Sequence, residues 1–82
     1  MGNNNIINTG AIIEHETCIG NDNHISLKSV LCGLVRVGEQ CFIGAGVVVI
    51  DRISMCNNVT VGSIVIRDIH YPGFYVGTRK LI

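Results

Sequence analysis

Val37-Gly38-Glu39-Gln40-Cys41-Phe42 runs directly into Ile43-Gly44-Ala45-Gly46-Val47-Val48, and the two hexads agree in kind at their first, second and fifth positions. Each opens with an aliphatic residue and a glycine, and each has a small or β-branched residue in fifth place. Extending the frame both ways gives first positions Met1, Ile7, Ile13, Ile19, Ile25, Leu31, Val37, Ile43, Val49, Met55 and Val61, eleven apolar residues in succession. Glycine recurs in second place at Gly2, Gly20, Gly38, Gly44 and Gly62. A helix repeats at about 3.6 residues and a half-buried strand at about 2. An unbroken period of six is instead that of a hexapeptide β-helix, where each hexad supplies one short strand and one turn.

Three hexads close a triangular coil, so residues 18 apart stack in neighbouring coils, spaced about 4.8 Å. The first-position aliphatics point inward and the fifth-position side chains fill the corners, while the second-position glycines are expected to ease the turns. Ile7, Ile25, Ile43 and Val61 form one such inward ladder. The expected fold is all-β: a parallel β-helix prism of three to four coils over residues 1–66. Hexapeptide coils of this kind are known as left-handed, although the period itself does not carry the hand. After Ile66 the frame places Arg67 in a first position and turn residues follow, so residues 67–82 are expected to form a tail capping the last coil. Within it, Phe74-Tyr75-Val76 is read as a last strand or a fold across the open end. Met1 already stands in register, which suggests a module separated from an upstream part, or one whose open end a partner covers.

Composition narrows the function. Six basic and six acidic side chains cancel and are scattered along the chain, unlike the basic footprint of a nucleic-acid binder. The longest apolar run, Val47 to Ile50, falls far short of the ~20 residues of a membrane span. The Asn-rich start lacks a signal-peptide pattern, so a cytoplasmic location is the default. Cys18, Cys32, Cys41 and Cys56 form no Cys-x-x-Cys pair and no zinc-knuckle spacing, and are read as reduced thiols.

One stretch exceeds what the scaffold requires. Glu14-His15-Glu16 fills hexad positions two to four, outside the ladder, and His24 lies at an outward sixth position. The two imidazoles are expected near one corner of one coil. A histidine flanked by carboxylates is suited to general-base work, since a carboxylate on one ring nitrogen fixes the tautomer and stabilises the imidazolium. A solvated surface patch is the other reading of the same string. Gly33, one coil beyond His15, and Asp51, two coils beyond, fall in the same register, and Gly33 leaves room beside the imidazole.

Asn8-Thr9-Gly10-Ala11-Ile12-Ile13-Glu14-His15-Glu16-x-Cys18-Ile19-Gly20, with Asn23-His24-Ile25-Ser26, resembles sugar O- and N-acetyltransferases of the sialic acid and bacillosamine type. The likeness continues through Val37-Gly38, Phe42-Ile43-Gly44-Ala45-Gly46 and Val76-Gly77. The resemblance implies a left-handed β-helix homotrimer with acetyl-CoA as co-substrate in the cleft between prisms, and a sugar or nucleotide-sugar amine or hydroxyl as acceptor. It implies His15 as general base, Glu16 as its orienting carboxylate, and His24 near the thioester carbonyl. Gly33 then matches a main-chain position holding the acetyl group, and Ala45 and Ser63 match main-chain contacts to the pantetheine arm. No metal is required. Relatives in that group carry an upstream acceptor-binding domain, so such a domain or partner is expected. Their closing Val-Gly-x-Pro-Ala-Lys stands here as Val76-Gly77-Thr78-Arg79-Lys80, one residue shorter.

Two further readings stay open. A γ-type carbonic anhydrase on the same fold would need three histidines converging on zinc, whereas His15, His24 and His70 are 9 and 46 residues apart. A non-catalytic trimeric scaffold would keep the coils without the chemistry.

Overall fold

The computed structural model describes residues 1–77 and 79–82; Thr78, in the closing motif, lies outside the described residues. Among the described residues there are strands and no helix, hence none long and apolar enough to cross a membrane. The chain winds as a β-solenoid of about four coils with three parallel faces. The first face stacks β1 (Ile6–Ile7), β4 (His24–Ile25), β7 (Phe42–Ile43), β10 (Val59–Gly62) and β12 (Gly73–Val76). The second stacks β2 (Ile12–Ile13), β5 (Val30–Leu31), β8 (Val48–Val49) and β11 (Ile64–Val65). The third stacks β3 (Cys18–Ile19), β6 (Arg36–Val37) and β9 (Ser54–Met55), with Ile69 bridged to Met55. A last strand, β13 (Arg79–Lys80), turns back antiparallel on β12.

The inward ladders follow the hexad frame. Ile7, Ile25, Ile43 and Val61 pair in sequence, as do Ile13, Leu31 and Val49, and Ile19, Val37 and Met55. Leu31, Ile43 and Val49 are fully buried, joined by the fifth-position Val35, Val47 and Val59. Burying each such side chain contributes about 1.5–3 kcal/mol. The first coil gains least, since Ile7 retains 39% of its surface.

Two features depart from the sequence reading. The glycines in second place do not make the turns. Every fourth position from Asn4 to Asn58 has a left-handed φ of 54–73°, and only Gly10 and Gly46 among those ten are glycine. The second-position glycines serve stacking instead: a Cβ on Gly20 would lie 2.6 Å from the carbonyl oxygen of Gly38. At Gly20 and Gly38 the corner backbone of one coil sits directly on that of the next and only hydrogen fits between them, whereas a Cβ on Gly62 would meet nothing closer than 4.0 Å.

The second departure is a change of coil length. Val65, not Arg67, stacks on Val49, then Ile69 stacks on Met55 and Tyr75 on Val61. The last coil therefore takes 14 residues rather than 18 from Val61 to Tyr75. Two corners lose two residues each, which keeps Val65 and Ile69 inside and leaves Arg67 exposed. Burying that unpaired guanidinium would cost far more than tightening a corner. Parallel stacking thus runs past residue 66 to Val76. Tyr75 packs at the prism end, its hydroxyl donating to the Tyr71 carbonyl at 2.7 Å.

Candidate functional site

His15 lies in the corner joining the second face to the third, between β2 and β3. Its backbone is fixed from the coil below: Glu14 N–H donates to Leu31 O, and Leu34 N–H donates to His15 O. Leu34 and Glu16 both take the left-handed turn conformation, so the two corners share one path and Gly33 falls beneath His15. The imidazole occupies the space a side chain at 33 would fill. A Cβ built on Gly33 would press on His15 Cε1 and lie 2.7 Å from Nε2 and 3.0 Å from Nδ1. Gly33 is buried while His15, Glu14 and Glu16 are exposed. The ring therefore lies flat on a glycine floor with its other face open.

Neither carboxylate holds the ring: among the described residues, no side-chain hydrogen bond joins Glu14 or Glu16 to His15. Asp51, two coils beyond in the same register, is paired at 2.6 Å with the neighbouring Arg52 rather than turned to the histidine. The corner also presents an available donor, since the Gly33 N–H meets no protein acceptor among the described residues.

His24 does not share this corner, contrary to the sequence expectation. It stands on β4 of the first face, stacked edge-on against Phe42 with ring centroids 5.0 Å apart. Position six places a side chain on a strand, not in a turn, and nine residues carry the chain half a coil around the prism. His24 Nε2 is buried without a hydrogen-bond partner among the described residues. An orphaned buried nitrogen of this kind is costly unless something else meets it. Ala45 and Ser63 follow β7 and β10 in the corner joining the first face to the second, and their N–H groups also lack protein acceptors. Ser63 takes φ 65° where the shortened coil begins.

The candidate residues thus fall into two groups within one chain: His15, Glu16 and Gly33 on one corner, and His24, Ala45 and Ser63 on and beside the first face. The three histidines do not converge, because His70 follows Ile69 on the third face, and the described residues hold no His/Cys/Asp/Glu cluster suited to a metal. All four cysteines are free, and burial pushes the Cys41 thiol above its ordinary range. A concavity of about 490 Å³ lies elsewhere, over the third face around Arg36. Nothing in the hexad pattern marked it, because Arg36 is one more outward sixth position.

The chain is 29% identical, over an 84-position alignment covering 93% of it, to a UDP-3-O-acylglucosamine N-acyltransferase of Herminiimonas arsenicoxydans. It spans about a quarter of that relative's length. No family model matches the chain, and no solved structure matches it.

Proposed function

We propose that this chain is the β-helical part of an acyltransferase that moves an acetyl group from acetyl-CoA to an amine or hydroxyl of a sugar or nucleotide sugar. The observation carrying the reading is the His15 imidazole laid on Gly33, open on one face, with a free main-chain N–H beneath it. The distant relative that acts as an N-acyltransferase supports transfer of an acyl group in general. Acetyl as the acyl group, CoA as the carrier and the sugar acceptor follow from the sequence resemblance.

In this scheme His15 accepts the proton as the acceptor nitrogen or oxygen attacks the thioester carbonyl. The new C–N or C–O bond forms, the C–S bond breaks, and the proton passes from His15 to the departing thiolate. General-base assistance of this kind contributes typically ~10²–10⁴-fold in rate. The Gly33 N–H meets the oxyanion developing on the carbonyl, and Glu16 swings onto the far ring nitrogen when the acceptor binds, orienting the base. His24 Nε2 faces the thioester, and the free N–H groups of Ala45 and Ser63 receive the amide carbonyls of the pantetheine arm.

The two groups of residues meet in a homotrimer. The outer row of the second face is apolar throughout, Ile12, Val30, Val48 and Ile64, with Ile12 and Ile64 half-exposed at 48% and 55%. Three prisms turning that face to a common axis bring the Ala45 corner of one copy beside the His15 corner of the next. An upstream segment would supply the acceptor pocket, and the cytoplasm supplies the donor and keeps the thiols reduced.

Calorimetric titration with acetyl-CoA, followed by transfer assays on amino-sugar and nucleotide-sugar acceptors, tests the reading. One acetyl-CoA per chain and transfer that disappears in His15→Ala are expected. A folded trimer that binds no acetyl-CoA would replace this reading with a non-catalytic scaffold.

A further inference from the structure

The hollow over the third face is a built feature of the fold. Its floor is the outward row Cys18, Arg36 and Ser54, one residue from each of three consecutive coils. Gly20 and Gly38 line its edge, where the next coil's corner packs so closely that a Cβ would not fit. His70 closes the far end, just beyond the bridge between Met55 and Ile69. The volume of about 490 Å³ lies within the range typical of small-molecule sites, roughly 300–1,000 Å³.

The lining is cationic and donor-rich. Arg36 is exposed and joins no ion pair or side-chain hydrogen bond among the described residues, where the sole pair is Asp51–Arg52. No carboxylate lines the hollow. Asp68, on its margin, is engaged through Oδ1 by the backbone N–H of Ser54 at 2.8 Å. The outer rows of the other two faces are largely apolar, with Ile6, Phe42 and Phe74 exposed on the first and Ile12 and Ile64 on the second. On the third face, by contrast, the outward strand row bears the Arg36 guanidinium.

We propose that this hollow is a binding site for an organic diphosphate, with Arg36 as the principal anion contact and the Ser54 hydroxyl and His70 ring as further donors. A guanidinium presents its N–H groups as a fork matched to phosphate oxygens. Donors on successive coils about 4.8 Å apart suit a ligand with two linked phosphoryl groups. The hollow beside them gives the attached organic group a place to lie. Both substrates of the proposed reaction, CoA and a nucleotide sugar, carry that linkage, so the shared chemistry is the diphosphate ester. The site stands on the hollow and its charge, and does not depend on His15.

Titration of the full chain with inorganic pyrophosphate, followed by calorimetry and by NMR of the arginine side chains, tests the assignment. Saturation at one per chain is expected, with the Arg36 Nε–H resonance shifting. Arg36→Gln should weaken binding about tenfold or more, while Arg36→Lys retains part of it as a point charge. Lys28→Gln, on a distant corner, should leave it unchanged. Circular dichroism confirms that the exposed replacements keep the fold. Competition by CoA but not UDP assigns the hollow to the donor, and the reverse assigns it to the acceptor. Pyrophosphate that fails to saturate by about 10 mM, or that binds Arg36→Gln as tightly as the parent chain, overturns the proposal. Loss of acetyl transfer with pyrophosphate binding intact would instead count against the catalytic reading alone.

Discussion

Two corners of this prism share one backbone path and differ in what their side chains do. Where the third face passes into the first, the polar side chains are bonded from coil to coil. Asn3 N–H donates to Asn21 Oδ1, Asn21 Nδ2 donates to Glu39, and Glu39 N–H donates to Asn57 Oδ1. Just inside them, Asn23 Nδ2 donates to Gly38 O while its Oδ1 accepts from Cys41 N–H, and Asn5 repeats the pattern one coil earlier. Where the second face passes into the third, Glu14, His15 and Glu16 have no such bonds and Gly33 has no side chain at all. The left-handed turn residue is present in both corners. The turn is therefore held by the backbone and the inward ladder, and polar stacking is an addition that one corner runs through successive coils while the other keeps it only in the Thr17 hydroxyl donated to Cys32 O. Side chains the fold does not need are the ones available for chemistry.

The largest expected effect that would sharpen this contrast is on activity. His15→Ala should lower transfer by ~10²–10⁴-fold and change stability by less than about 0.5 kcal/mol. A fall in melting temperature or loss of the oligomer would make His15 structural and erase the distinction. Asn23→Leu should do the opposite. It strands the Cys41 N–H and the Gly38 carbonyl in a buried setting and should cost roughly 2–6 kcal/mol in urea unfolding, at about 1–3 per orphaned group. A near-neutral result would mean that the stacked amides are decorative.

Gly33→Ala is intermediate. Its Cβ displaces the ring above it without demanding an unusual φ, so transfer should fall by up to about 10²-fold with stability held within about 1 kcal/mol. Unchanged kcat would show that the glycine floor does not position His15. Gly46→Ala probes the turn alone: nothing lies within 4 Å of its Cβ, yet φ is 68°, so about 1 kcal/mol should be lost. The smallest effect concerns the bonded corner under alkali. Burial raises the Cys41 thiol, so the folded state keeps its proton longer than the unfolded state does. That contribution to stability is whole below the ordinary thiol range and is lost as pH rises through and above it. Cys41→Ser should flatten the alkaline limb of a stability-versus-pH curve; an unaltered limb would assign it to other groups.

How much the sequence revealed depended on whether a physical demand left one residue type standing. The inward ladder excludes polar side chains, so its period was plain from Ile7 to Val61. The 18-residue register alone puts Gly33 under His15. The shortened last coil was hidden because Val65 and Ile66 are both apolar and either could face inward. The left-handed turn position was hidden because Glu16, Lys28, Leu34, Gln40 and Arg52 carry no glycine signal. The separation of His15 from His24 needed the prism in three dimensions, since spacing along the chain does not say which corner a turn belongs to. The hollow around Arg36 could not be read for the same reason: its lining is gathered from four successive coils.

Each coil in this prism touches only the coil before it and the coil after it, with every ladder pair 18 residues apart until the last coil. That fixes which hereditary accidents the molecule can survive. One inserted residue in a middle coil turns every later aliphatic residue of that coil away from the axis. An in-frame tandem copy of eighteen residues merely lengthens the prism by one storey, carrying a second corner and a second outward row with it. Lineages of such a chain should therefore vary in whole storeys, and a duplicated storey can lose its stacking amides and take up new chemistry while its parent keeps the old.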